Sequence, residues 1–175
     1  MIIDGKIFDL AKVINIQHLS LGINSQIDDF CFINAGIKTE IGRNVHIASF
    51  SSIIGGGECF IDDFAGLSVG CRLITASDDF SGPYLTNPTV PKEFTNVSIG
   101  KIRIGKHAII GTNSIIFPNV DIGEGCAVGA GALVRKNLKP WTVYAMVDGK
   151  LKELKKRDSS SVLDMERKYL ESKHA

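Results

Sequence analysis

Large aliphatic residues return at every sixth position along much of this chain, and this period constrains the fold more than any other feature. The carboxyl-terminal half holds the series Ile104, Ile110, Ile116, Ile122, Val128 and Val134. The amino-terminal half holds triplets separated by two-residue insertions: Leu21, Ile27 and Ile33, then Ile41, Ile47 and Ile53, then Ile61, Leu67 and Leu73. A helix repeats near 3.6 residues and a surface strand near 2, so a period of six predicts a solenoid of short parallel strands, with three hexads in each triangular coil.

A second position tests this register. Four residues after each aliphatic residue the chain should point inward again, at a tight corner that admits only small side chains. The residues there are Ser25, Cys31, Val45, Ser51, Ala65, Cys71, Ala108, Ser114, Val120, Cys126 and Ala132, and Cys59 occupies the same slot before Ile61. The four cysteines lack C-x-x-C spacing, so we interpret them as small core residues rather than as zinc ligands or a redox pair.

The period also sets the expected domain organisation. We expect one β-helix domain over residues 1–150, interrupted by an excursion loop at about 76–98 that is rich in proline, asparagine and serine. Residues 151–175 are predicted as a helical tail, capped near Ser159 to Ser161 and covering the last coil.

The net charge of +1, with no basic run, argues against a nucleic-acid surface. No apolar stretch approaches the roughly 20 residues that cross a bilayer and no signal peptide is evident, so a cytoplasmic protein is expected.

Residues 21–150 resemble the left-handed parallel β-helix acyltransferases, the hexapeptide-repeat family that includes sugar O-acetyltransferases and sugar-nucleotide N-acyltransferases. The strongest resemblance lies in KIRIGKHAIIGTNSIIFPNVDIGEGCAVGAGALVRKNLKPWTVYA. It implies the left hand of the coil, a homotrimer, and coenzyme A bound in a groove between subunits. The matching cofactor positions are Gly111, Thr112, Gly129, Ala130, Arg135 and Lys136, with Lys150 as a further phosphate partner. The same glycines also suit tight corners, and the same basic residues could simply be solvated.

The catalytic histidine of the resembling sugar O-acetyltransferases is missing here. Their T-x-H-P stretch corresponds to Thr75 through Asp79, which contains no histidine. Either His46, expected to face outward beside inward Ile47, supplies the base, or the acceptor is an amine that Asp78 or Asp79 holds in place. Both aspartates could instead form a turn, and His46 could simply bond a stacked neighbour. Weaker candidates for acceptor binding, chosen by position, are Ser77, Tyr84, Glu93 and Asn113.

These residues favour an acyltransferase that moves an acetyl or other short acyl group from coenzyme A to an amino sugar. The sugar is expected to be nucleotide-linked and used in building a surface polysaccharide, and no metal is expected. The alternative within enzymes is an O-acetyltransferase of a sugar hydroxyl or another small acceptor. A non-catalytic hexapeptide scaffold is the alternative from another class, but it would have little use for a long loop followed by a cofactor-like segment.

Overall fold

The computed structural model describes residues 2–173 as a parallel β-helix followed by a short helix. Before the excursion loop the strands are β1 (Ile2–Ile3), β2 (Lys6–Ile7), β3 (Lys12–Ile14), β4 (Leu19–Leu21), β5 (Gln26–Ile27), β6 (Phe32–Asn34), β7 (Lys38–Ile41), β8 (His46–Ile47), β9 (Ser52–Ile54), β10 (Glu58–Ile61), β11 (Gly66–Leu67) and β12 (Arg72–Ile74). From the loop onward they are β13 (Ala76–Asp78), β14 (Val97–Ile99), β15 (Lys101–Ile104), β16 (Ile109–Ile110), β17 (Ile115–Ile116), β18 (Val120–Ile122), β19 (Ala127–Val128), β20 (Leu133–Val134), β21 (Thr142–Val147) and β22 (Lys150–Lys156). Two 3₁₀ turns cover Ile16–His18 and Lys92–Phe94, and helix α1 covers Ser159–Ser172.

Three parallel sheets form the faces of the solenoid. The first face stacks β1, β4, β7, β10, β15 and β18, and the second stacks β2, β5, β8, β11, β16 and β19 before β21 and β22. The third face stacks β3, β6, β9, β12, β17 and β20. The predicted repeat began at Leu21, whereas β1, β2 and β3 form one further coil before it.

The predicted register is confirmed throughout the interior. Every aliphatic residue of the period-six series is buried, as are the small residues of the corner position. Corner hydroxyls join successive coils: the Ser25 hydroxyl donates to the Gly42 carbonyl at 2.6 Å and accepts from the Val45 N–H at 2.8 Å. The Cys31 thiol occupies the same position and donates to the Ala48 carbonyl at 3.2 Å. Serine and cysteine therefore alternate here because both are small and both can bond the coil above.

All four cysteines are free and buried, as predicted. Burial raises the pKa of the Cys59 thiol to about 12 and that of Cys126 to about 12. A thiol held in this state lacks the thiolate that metal binding or disulfide exchange requires.

The predicted helix near Ser159 to Ser161 is confirmed, but the first part of the predicted helical tail over 151–175 is a strand. Residues Lys150–Lys156 form β22, which pairs antiparallel with β21, and the helix begins only at Ser159. The reason is the Asp148–Gly149 pair, whose residues have φ values of 52° and 72°. Two consecutive positive φ values are what a two-residue hairpin turn requires, so the chain reverses as a strand.

Helix α1 also does not cover the last coil. It lies along the ridge between the first and second faces, where the Tyr169 hydroxyl donates to Asn44 Oδ1 at 3.0 Å. Glu166 bonds His107 Nε2 at 2.9 Å and Lys106 Nζ at 2.7 Å. Polar contacts to several coils therefore hold the helix along this ridge rather than over the end of the solenoid.

Candidate functional site

The excursion loop leaves the third face after β12 and returns through the antiparallel pair β13–β14. Ser77 pairs with Ser98 and Asp78 with Val97, so the start of the loop is fixed by backbone hydrogen bonds. A cavity of about 560 Å³ lies between the loop and the third face, and we call it the loop cavity. Its apolar walls are Ile74 and Phe117 on the third face and Phe80 and Val97 on the loop, and Ser77 and Asp78 also line it.

The two adjacent aspartates have different environments. The Asp79 carboxylate accepts hydrogen bonds from the Ser81 N–H and hydroxyl, both at 2.9 Å, and from Asn96 Nδ2 at 3.1 Å. These bonds, the Ser81 N–H first, lower the pKa of Asp79. The Asp78 carboxylate has no hydrogen-bonding partner among residues 2–173 and lines the loop cavity. Asp79 therefore stabilises the loop through its hydrogen bonds, whereas Asp78 remains available to a ligand.

His46 lies on β8 and points outward, as predicted. Its Nε2 is 2.8 Å from Asp28 Oδ2, and half of its side-chain surface is exposed. A neutral imidazole that donates from Nε2 keeps Nδ1 as its basic nitrogen. The ring borders a second-face cavity of about 310 Å³, which Ser68 and Thr112 also line. His46 therefore has the orienting carboxylate that a general base needs.

The structure does not bring all the predicted acceptor-site residues together. His46 lines the second-face cavity, whereas Asp78 and Ser77 line the loop cavity. Tyr84 and Glu93 are exposed on the loop, outside both cavities, and Asn113 stands at a corner with a φ of 59°. Within one chain, the two candidate centres of chemistry are therefore separate.

Four of the predicted cofactor positions stack at the corner between the second and third faces. The Gly111 N–H donates to the Val128 carbonyl at 2.8 Å, and the Gly131 N–H donates to the Thr112 carbonyl at 2.8 Å. A Cβ on Gly111 would lie 2.5 Å from the Ala130 nitrogen, so coil stacking by itself requires glycine there. Thr112 borders the second-face cavity, which places this corner beside His46.

The basic candidates lie elsewhere. The Arg135 guanidinium lies over the Phe117 ring at 4.7 Å from its centroid, at the edge of the loop cavity, and Lys136 is exposed next to it. Lys150 begins β22 at the hairpin turn and is also exposed.

Two polar residues near His46 were missed by sequence reasoning. Asp28 lies 18 residues before His46, close to one coil length, and that spacing was an available signal for their contact. Ser68 stands on the second face above Ala48, and its N–H donates to the Ile110 carbonyl at 2.9 Å. Its outward position followed from the register, but nothing in the repeat distinguishes it from other small residues.

Two global features bear on the kind of site. In the part of the chain that the structure describes, no helix is long and apolar enough to cross a membrane. Across residues 2–173 no three histidine, cysteine or acidic side chains are grouped so that they could hold a metal ion.

Known proteins similar to this chain are acyltransferases. A family model described as the hexapeptide repeat of succinyl-transferase matches residues 101–136. The dTDP-4-amino-4,6-dideoxy-D-glucose acyltransferase of Escherichia coli is 40% identical over 146 residues, which make up 83% of this chain and 76% of that protein. A chloramphenicol acetyltransferase of Agrobacterium fabrum is 32% identical over 66% of this chain and 60% of its own length.

A solved structure agrees over almost the whole chain. AntD, an N-acyltransferase from Bacillus cereus in complex with dTDP and 3-hydroxybutyryl-CoA, has a TM-score of 0.89 and 40% identity, covering 99% of this chain and 92% of that one. Sequence motifs, coil geometry and overall similarity agree, and the chain therefore belongs to the hexapeptide-repeat acyltransferases, the left-handed parallel β-helix family of enzymes that its motifs resemble.

Proposed function

We propose that this enzyme transfers a short acyl group from an acyl-coenzyme A to the amino group of a nucleotide-linked sugar. The observation that carries the proposal is the similarity to the Bacillus cereus enzyme, which spans nearly both chains and whose complexes hold dTDP with 3-hydroxybutyryl-CoA, or dTDP-4-amino-4,6-dideoxyglucose with coenzyme A. The Escherichia coli relative is named for the same class of amino sugar. Because such relatives are enzymes, the scaffold alternative is set aside.

An amine acceptor fits the chemistry of the Asp78 side of the loop cavity. Among the described residues no histidine lines it, and Asp78 is its only charged side chain. An amine nitrogen attacks the thioester carbonyl carbon, the C–N bond forms and the C–S bond breaks. Asp78 accepts the proton that the nitrogen loses, and this proton then passes to the departing sulfur of coenzyme A. An amine needs less help from a base than a hydroxyl does, which is consistent with the missing loop histidine.

The position of Ser68 relative to Asp78 supports the assignment of Asp78 as the proton acceptor. Solved forms of the Bacillus cereus enzyme carry substitutions at a serine and at an aspartate ten residues further along its chain. Ser68 and Asp78 have the same separation here. Ser52 and Asp62 have it too, but Asp62 is paired with Arg103 at 3.1 Å. We therefore add Ser68 as a donor that could stabilise the developing oxyanion.

Coenzyme A is proposed to follow the corner of Gly111, Thr112, Gly129 and Ala130. Small residues let a pantetheine arm approach the backbone, and Arg135, Lys136 and Lys150 supply positive charge for its phosphates. The separation of His46 from Asp78 within one chain fits a homotrimer whose sites form between subunits. Four unpaired, buried cysteines fit a reducing compartment, and we propose the cytoplasm.

An O-acetyltransferase is the second candidate, because His46 with Asp28 at 2.8 Å resembles an oriented base. The deciding experiment measures thiol release from acyl-coenzyme A with dTDP-4-amino-4,6-dideoxyglucose and with its 4-hydroxy counterpart, for the wild type and His46→Ala. We expect turnover with the amine only, reduced less than about tenfold in the variant because an amine does not depend on a histidine base. Turnover with the hydroxyl sugar that collapses in His46→Ala would establish the second candidate instead.

A further inference from the structure

The loop cavity is more apolar than the acceptor chemistry requires. Ile74 and Phe117 form its floor on the third face, and Phe80 and Val97 face them from the loop. The outer two are strongly exposed, Phe80 at 87% and Val97 at 48%. Large exposed apolar side chains that converge on one cavity are typical of a surface that a ligand covers.

Charge limits which part of a substrate can enter this cavity. None of its lining residues in the described part of the chain, 2–173, is lysine, arginine or histidine, and Asp78 contributes a negative charge. Phosphate groups would be repelled there, and the Arg135 guanidinium, which lies over the Phe117 ring, is not part of the lining. The diphosphate of the sugar nucleotide and the phosphates of coenzyme A therefore belong outside the loop cavity.

Connectivity selects among the remaining uncharged groups. If Asp78 holds the amine, the nucleobase is separated from it by the sugar and the diphosphate, so the base cannot share the cavity without drawing phosphate in. The acyl chain, in contrast, is bonded directly to the carbonyl carbon that the amine attacks. The cavity has a volume of about 560 Å³ and apolar walls on two sides, and an acetyl group could contact them with only one methyl.

We infer that the loop cavity binds the acyl chain of the donor and that the preferred chain is longer than acetyl. This inference rests on the proposed function, since it assumes that Asp78 marks the acceptor amine. Ile74 and Phe117 are then the residues that set chain length. Each buried methylene should raise kcat/KM about fourfold, so butyryl-coenzyme A should exceed acetyl-coenzyme A about 15-fold.

The test compares acetyl-, propionyl-, butyryl- and hexanoyl-coenzyme A as donors to dTDP-4-amino-4,6-dideoxyglucose. Ile74→Phe, which fills the cavity, is expected to reduce the ratio of kcat/KM for butyryl- over acetyl-coenzyme A about tenfold or more. Phe117→Leu, which enlarges the cavity, should shift the optimum toward hexanoyl. Ile115→Phe makes the same change as Ile74→Phe on the third face but outside the cavity lining, and it should leave the donor series unaltered.

The outcomes separate this inference from the proposed function. No turnover with any donor would refute the proposed function itself. Turnover with a flat or acetyl-favouring series in the wild type would overturn the inference alone. An equal rise in the KM of the sugar nucleotide with every donor, in both cavity variants, would assign the cavity to the acceptor and also overturn the inference. Melting temperatures of the variants identify any that misfold, and Phe117→Leu provides an independent test if Ile74→Phe does.

Discussion

The coil interior buries every large aliphatic residue of its repeat, whereas the excursion loop leaves Phe80, Tyr84, Leu85 and Phe94 exposed. The coils satisfy their backbone by pairing with the coils above and below, and their side chains fill one continuous core. The loop is fixed at its base by a pair of three-residue strands and within by the hydrogen bonds of Asp79. The residues that stabilise the fold and the residues proposed to carry out the chemistry thus lie in different regions, so mutations in the two regions should have separable effects.

The largest expected effect is the loss of activity on substitution of Asp78 in the excursion loop. Asp78→Asn keeps the shape of the side chain but removes the proton acceptor, so kcat/KM should fall about 10²- to 10⁴-fold. The melting temperature should hardly change, because no partner among residues 2–173 bonds the carboxylate. Asp79→Asn is the matched control and should alter loop stability more than chemistry. A steady-state assay with thermal denaturation of both variants checks this, and equal losses of activity would contradict the distinction between the two aspartates.

For the coil interior we expect the opposite pattern, in which substitution lowers stability strongly. Ile110 is fully buried on the second face, and Ile110→Ala should lower the free energy of unfolding by about 2–5 kcal/mol through lost contacts and a cavity. Phe80→Ala removes a larger side chain that is 87% exposed and should change stability by less than about 0.5 kcal/mol. Denaturant titration of both proteins measures the difference. Comparable losses would mean that the loop belongs to the folding core.

Two glycines, Gly66 on the second face and Gly111 at its corner with the third, sharpen the comparison within the coils. A Cβ on Gly111 would lie 2.5 Å from the Ala130 nitrogen, whereas a Cβ on Gly66 would meet no atom of the described residues within 4 Å. Gly111→Ala should therefore cost about 1–3 kcal/mol through forced backbone shifts, and Gly66→Ala should be close to neutral. Chemical denaturation of the pair provides the measurement. If Gly111→Ala kept full stability but lost affinity for coenzyme A, its role would lie in cofactor binding alone.

The smallest effect concerns helix α1. Burial alone would raise the pKa of Glu166, but hydrogen bonds and charge from Lys106 and His107 outweigh it and lower the pKa. A carboxyl group whose pKa is lowered by folding stabilises the fold above its unfolded pKa, near 4.5, and this contribution is lost as pH falls through the folded value. Glu166→Gln should cost about 1 kcal/mol at neutral pH, and its difference from the wild type should shrink in acid. Melting temperatures between pH 3 and pH 7 test this, and a constant difference would contradict it.

Several elements were predictable because the repeat imposes them on every coil. The inward positions of Ile104 through Val134, the cysteine slots and the excursion near residues 76–98 all follow from one period, which stacking must preserve for each coil to bury its interior. The Asp148–Gly149 pair was a sequence signal for the hairpin, although residues 151–156 were predicted as part of a helical tail. The candidate site was predicted only in part, since position on a face does not tell whether Asp78 or Asp79 is engaged by loop partners.

The sequence by itself thus determined the solenoid and its register, because a period of six admits one way of burying the aliphatic residues, and its motifs indicated the family by resemblance. Only the tertiary structure decided the contacts between elements that do not share that period. Helix α1 docks through Glu166 on His107, 59 residues apart in the chain, and His46 bonds Asp28 on the preceding coil. These contacts depend on side-chain reach and on the path of a loop, a hairpin and a helix, which no repeat specifies.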